Sequence, residues 1–300
     1  MYKNIIIVGA TGRYLGKKIT SSFLKRQDDF NVSILLSKKA MEDEEKKKFF
    51  EDFQKQGAKL IFGELDDPIG LEKSLEGIDV VISLLTGHDQ EILFNGQKSL
   101  IEASKKAHVK RFITSGYGMD LSRIKENECY YYVPKQRIES LLENDSSIEH
   151  TFIATELFAE FLFTPDFGID IKQRIIKSFG PSDMKISTTY TDDIALLLPD
   201  IILSDESKNA RINIASFTTT FKEIHQVAEK VTGEKFQFVE DRSYENLTKE
   251  ELYKQVFEFV KTVYARGEGY FDKPFNKIHP KLSKIPTTTL EDYIKIKLSE

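Results

Sequence analysis

Cysteine is almost missing from this chain of 300 residues. Cys129 stands alone, which excludes an internal disulfide and fits a reducing compartment. Neither sign of charge dominates: charged residues make up 30% of the chain, interspersed, and the net charge of −5 leaves no basic face of the kind nucleic acid requires. No apolar run approaches the ~20 residues that span a bilayer; the longest, Ile194 to Leu203, is interrupted by Pro199 and Asp200. His88, His108, His150, His225 and His279 never fall at metal-ligand spacing, so no metal is expected. Ser115 lacks the G-x-S-x-G elbow of a serine hydrolase, and the glycine-rich loop lacks the G-K-[ST] ending of a phosphoryl-transfer site. Residues 1–4 run straight into an apolar segment, so no leader is expected. Repeats, low-complexity tracts and flexible linkers are also missing. With 40% hydrophobic residues, a cytoplasmic globular protein of one large domain or two lobes is the expectation.

The first thing present is a strand that breaks into a glycine turn, Ile5-Ile6-Ile7-Val8-Gly9-Ala10-Thr11-Gly12-Arg13-Tyr14-Leu15-Gly16. A buried-type strand entering a helix through such a turn is how a dinucleotide fold receives a phosphate. The glycines allow a tight turn and close backbone approach, and the helix amides face the anion. Gly9, Thr11, Gly12, Arg13, Tyr14 and Leu15 are therefore candidate cofactor residues.

Strands and helices then alternate. Helix is predicted over 17–26, strand over 31–36, and a charged helix over 40–56 whose charges read as a solvated face. Strand 59–62, a short helix near 70–75, strand 80–85, helix 95–107 and strand 111–115 follow. Short buried strands separated by helices imply right-handed crossovers, hence an α/β, doubly wound parallel sheet. The second half is less regular. Helix 134–142, strand 150–155, strand 185–190, helix 193–203, strand 211–215 and a helix from Thr220 to Thr232 stopped by Gly233 are expected. Thr248 and Glu251 form a capping box for one long helix reaching Ala265. The aromatic segment from Phe158 to Phe167 reads as core first, with the wall of an apolar pocket for a planar ligand as the alternative.

At the end of the second strand an acid would bind the ribose 2′-hydroxyl of NAD, whereas bases suit the 2′-phosphate of NADP. Here the strand ends Leu36-Ser37-Lys38-Lys39, with no acid before Glu42, which points to NADPH with Ser37 and Lys38 beside the phosphate. Leu85 ends the fourth strand, Thr86 and Gly87 follow it and His88 comes next; all sit at the edge that faces the crevice where a nicotinamide lies. Ser115 closes the fifth strand. Tyr131 stands four residues before Lys135, a spacing that puts both side chains on one helical face, where an ammonium favours phenolate and can hold ribose hydroxyls. Pro134 suits a first helical turn, which leaves Tyr131 the weaker candidate of the two.

The chain resembles the NmrA-like, isoflavone-reductase-like branch of the atypical short-chain dehydrogenases. The resemblance rests on Val8-Gly9-Ala10-Thr11-Gly12, Gly63-Glu64-Leu65-Asp66-Asp67, Asp79-Val80-Val81-Ile82-Ser83, Arg111 through Asp120, and Lys135 with Ile138, Leu142 and Glu143. It continues through Thr151-Phe152-Ile153, Phe158 and Phe167-Gly168-Ile169-Asp170, covering most of residues 1–215. It implies a Rossmann-type domain over 1–155, with 185–215 returning to it, and a smaller α+β substrate lobe over 156–300. It implies, too, an NADPH-dependent reductase of a small unsaturated or carbonyl substrate, aromatic ones included. Lys135, Tyr131 and Ser115 would be catalytic, with Ser115 and Lys135 also touching the cofactor. The alternative is an NADP(H)-sensing regulatory protein without catalysis. Oligomeric state is not legible. The loop has one residue more between Gly12 and Gly16 than the G-x-x-G-x-x-G usual in these reductases, which favours Gly9 and Gly12 over Gly16.

Overall fold

A computed structural model describes residues 2–86 and 90–300, apart from the side chain at 92. Among these residues the chain divides into two compact units. The first comprises residues up to 117, 134–153 and 194–212; the second comprises 118–133, 154–193 and 213–300. This differs from a division at 155. The chain leaves the first unit after Tyr117, re-enters it at Pro134, and returns to it at Ile194 rather than at 185.

The first unit is built on a seven-stranded sheet. Strands β1 (Asn4–Val8), β2 (Asn31–Leu36), β3 (Lys59–Phe62), β4 (Val80–Ser83), β5 (Arg111–Ile113) and β6 (Glu149–Ala154) are ordered 3-2-1-4-5-6, with Ala210–Asn213 beyond β6. Neighbours among the six are parallel. Ile5, Ile6 and Ile7 are fully buried because β1 is paired on both sides, Ile5 facing Val32 of β2 and Val80 of β4. A strand covered on both faces needs an unbroken β-branched run, and that is what the N-terminus supplies.

Helices α1 (Gly16–Leu24), α2 (Glu44–Lys55), α3 (Pro68–Ser74), α4 (Gln90–Lys106) and α5 (Val133–Glu143) connect the strands. Asp43 caps α2 by accepting from the Lys46 amide, and Asp67 caps α3 with Pro68 in its first turn. Arg111 is fully buried. Its guanidinium donates to the Tyr2 hydroxyl (2.9 Å), the Ser207 hydroxyl (2.9 Å) and the Ile202 carbonyl (3.3 Å), while Nε faces Glu149. A buried charge persists only when satisfied in this way.

The second unit carries two three-stranded sheets. In one, Lys185–Thr189 lies between Phe217–Thr220 and Leu157–Phe158; in the other, Ile175–Phe179 lies between Gln237–Asp241 and Ile169–Asp170. Phe163, Phe167, Phe179, Phe221, Tyr264 and Tyr293 fill its core, while Phe158 and Phe161 are only half-buried. The long helix expected after Thr248 is two, Lys249–Lys254 and Val256–Ala265, because Gln255 between them has a non-helical ψ of 87°.

Candidate functional site

The strand order reverses between β1 and β4, so the loops after these strands diverge and leave a crevice at their carboxyl ends. A cleft of 520 Å³ opens there. The glycine turn forms one wall, Leu36, Ser37 and Lys46 the second, Glu64 to Asp66 the third, and Leu85 with Gly96 of α4 the last.

The glycines of the turn are demanded by space. Gly9 has φ +88°, and a Cβ on it would stand 2.7 Å from the Leu84 carbonyl oxygen, so it permits the close passage of β1 and β4. The Gly12 amide closes the turn on the Gly9 carbonyl at 3.0 Å. Gly16, the least favoured of the three in the sequence, is the most tightly packed. A Cβ there would lie well inside contact of the Gly9 carbonyl oxygen and 2.9 Å from that of Ala10. The extra residue is absorbed before α1, where Leu15 takes the N-cap position without a side-chain cap. Thr11 lines the cleft; Tyr14 is half-buried, with the exposed Arg13 guanidinium 5.5 Å from its ring centroid.

At the end of β2, the Ser37 hydroxyl accepts the Ala40 amide at 3.1 Å and starts the 3-10 turn Lys39–Met41. Lys38 and Lys39 are exposed, and the Lys38 amide donates to Glu64 at 2.7 Å. The cation that lines the cleft is instead Lys46, inside the helix read as a solvated face. The signal was available: Lys46 stands four residues before Phe50, so it shares the helical face that Phe50 buries. Glu64, in the Gly63–Asp67 stretch that carries the family resemblance, brings a carboxylate to the end of β2.

Farther along, the Ser115 amide donates to Gln97 Oε1 (3.0 Å) and its hydroxyl to the Leu85 carbonyl (2.6 Å). Lys135 is buried, and its ammonium donates to the Tyr117 carbonyl at 3.4 Å. Among the described residues, the Ser83, Thr114 and Tyr117 hydroxyls, at the ends of β4 and β5, are buried without a hydrogen-bond partner. Tyr131 does not share a helical face with Lys135. Helix α5 begins at Val133 with Pro134 in its first turn, so Tyr131 precedes it and rests edge-on against Tyr132 at 5.3 Å. Thr86 is exposed; Gly87 and His88 lie outside the described residues. No group of three or more metal-ligating side chains occurs among the described residues, and no helix there is long and apolar enough to cross a membrane.

A parallel sheet of order 3-2-1-4-5-6 with a glycine turn at its switch point defines the class: a doubly wound, Rossmann-type dinucleotide fold. The NmrA-like family model matches residues 1–294, and the chain belongs to that family. It is 30% identical over 242 residues to an NmrA-like family domain-containing oxidoreductase of Gibberella moniliformis, covering 78% of each chain. It is also 30% identical over 198 residues to isoflavone reductase homolog A622 of Nicotiana tabacum, 64% of this chain and 61% of that relative. The chain therefore spans about three-fifths of that curated relative's length. Its fold is similar to that of AtPrR2 solved with NADP+ and (+)pinoresinol, with a TM-score of 0.84, 21% identity and 99% of each chain covered.

Proposed function

We propose that the protein is an NADPH-dependent reductase of a small unsaturated or carbonyl substrate, aromatic molecules included, working in the reducing cytoplasm. The observation that carries this reading is the glycine cradle, closed to any Cβ at Gly9 and Gly16 and opening onto a cleft with Ser37 and Lys46 on its ribose side. The oxidoreductase relative and the neighbour solved with NADP+ support it. The turn from Gly9 to Gly12 would hold the pyrophosphate, and Ser37 with Lys46 the 2′-phosphate. NADPH supplies a hydride when bound. The chain's own part is to hold the ring and manage the proton: Ser115 ties the ends of β4 and β5 together, and Lys135 delivers or orders the proton.

Two measurements test this reading. Lys46→Ala is expected to weaken NADPH binding about 10- to 100-fold, the worth of one charge-assisted phosphate contact, and to leave NADH binding unchanged. Wild-type protein that binds NADH as tightly as NADPH would instead mean that Glu64 reads the ribose. Lys135→Ala should lower turnover of the best substrate in a quinone, enal, enone and aryl-ether panel by at least about 100-fold. A wild-type protein that binds NADPH but turns over no panel member, with Lys135→Ala leaving cofactor affinity intact, would favour the sensor reading.

A further inference from the structure

The turn Ser115–Tyr117, directly after β5, is held from two sides. On one side Gln97 and the Leu85 carbonyl take the Ser115 amide and hydroxyl. On the other lies a single face of α5. Lys135 reaches the Tyr117 carbonyl, and one turn later Glu139, 5% exposed, brings its Oε1 beside Gly116, 3.1 Å from where a Cβ on that glycine would stand. The second Glu139 oxygen is fixed by Arg211 at 2.8 Å, and the Arg211 guanidinium lies 4.9 Å from the Phe152 ring centroid. We propose that Glu139 is a positioning residue for Lys135, setting the turn and the ammonium in register from the buried face of α5 that the two share.

Helix stability does not account for this arrangement. Lysine four residues before glutamate is the less favourable order for an i, i+4 pair, and burying both charges costs desolvation. An anion held rigidly by Arg211 one turn from a buried ammonium does what a site needs: it compensates the charge and limits the rotamers of Lys135. Gly116 leaves room for that carboxylate. Its neighbour on the far side is the Thr114 hydroxyl, 3.2 Å from the same Cβ position.

The inference rests on Lys135 touching the cofactor, and the test separates the two claims by NADPH fluorescence titration of the full chain. Glu139→Gln and Lys135→Met should each weaken NADPH about 10-fold, and the double variant should bind no worse than Lys135→Met alone. Gly116→Ala keeps every charge but crowds the Glu139 carboxylate. It should cost about 3-fold in wild type and nothing in the Lys135→Met background, and it serves if Glu139→Gln does not fold. Glu143→Gln, which removes the exposed partner of Arg211, should change nothing. Losses that persist undiminished in the Lys135→Met background, or a Glu143→Gln loss as large as that of Glu139→Gln, overturn the positioning role alone. A Lys135→Met variant that binds and reduces like wild type overturns the reading of Lys135 and this inference with it.

Discussion

Gly16→Ala is expected to abolish NADPH binding in the working range, raising the dissociation constant at least about 100-fold, and to lower the melting temperature by roughly 5 °C or more. The cause is steric. The new Cβ has nowhere to go, because the Gly9 carbonyl occupies its place and that of Ala10 stands 2.9 Å away. Either α1 slides off the turn or the turn opens, and each movement pulls the start of the helix away from the cradle. These atoms are backbone on both sides, so no rotamer change relieves the clash. Gly12→Ala is the control for packing alone: its Cβ meets the Gly9 carbonyl at 3.2 Å, a contact relieved by a few tenths of an ångström. Its melting temperature should stay near that of wild type, even where the added methyl weakens NADPH at the pyrophosphate turn. Titration with NADPH and thermal melts of both variants decide the matter, and a Gly16→Ala protein equal to wild type in both refutes the packing argument.

The second large effect lies in the second unit. Glu156 is 1% exposed and has a left-handed backbone, φ +51°, which a glutamate adopts only under constraint. Burial pushes its carboxyl up to about 8 from an ordinary 4.5, against the charge of Arg123 and a hydrogen bond with the Tyr264 hydroxyl at 3.2 Å. Between those two values the folded protein holds a proton that the unfolded chain has released. This group's contribution to stability is therefore complete below pH 4.5, falls as pH rises, and is exhausted above pH 8. The slope is about 1.4 kcal/mol per pH unit inside the window. Glu156→Gln, a neutral isostere, should flatten it: the variant should match wild type near pH 5 and exceed it at pH 8 by up to about 4 kcal/mol. Urea midpoints at pH 5, 6.5 and 8 read this directly, and parallel pH profiles for the two proteins would sink it.

Much of the first unit was legible because its signals are local. The isoleucine run, the glycine turn and the alternation of short strands with helices each follow from periodicity or backbone freedom, and the topology follows from crossover handedness. What escaped depends on packing. Lys46 looked like one lysine among many until α2 was docked by Phe50. Gly16 was judged by loop spacing, whereas its need is set by two carbonyls from residues earlier in the turn. Tyr131 stood at an inviting spacing, yet the helix starts two residues after it. Glu156 gave no signal at all: the Tyr264 hydroxyl that meets its carboxyl and the Asp120 beside it are distant in sequence.

Arg111 links the architecture to the order in which the chain is made. Two of the groups that satisfy its guanidinium, the Ile202 carbonyl and the Ser207 hydroxyl, come from the segment that returns to the first unit after the long detour through 154–193. A nascent chain that has emerged only through β6 carries the Arg111 guanidinium without these acceptors. Synthesis at about 5–20 residues per second makes that interval several seconds. Completion of the first unit therefore waits on translation of residues 154–193 of the second, and chains halted within that segment should remain open to protease near β5.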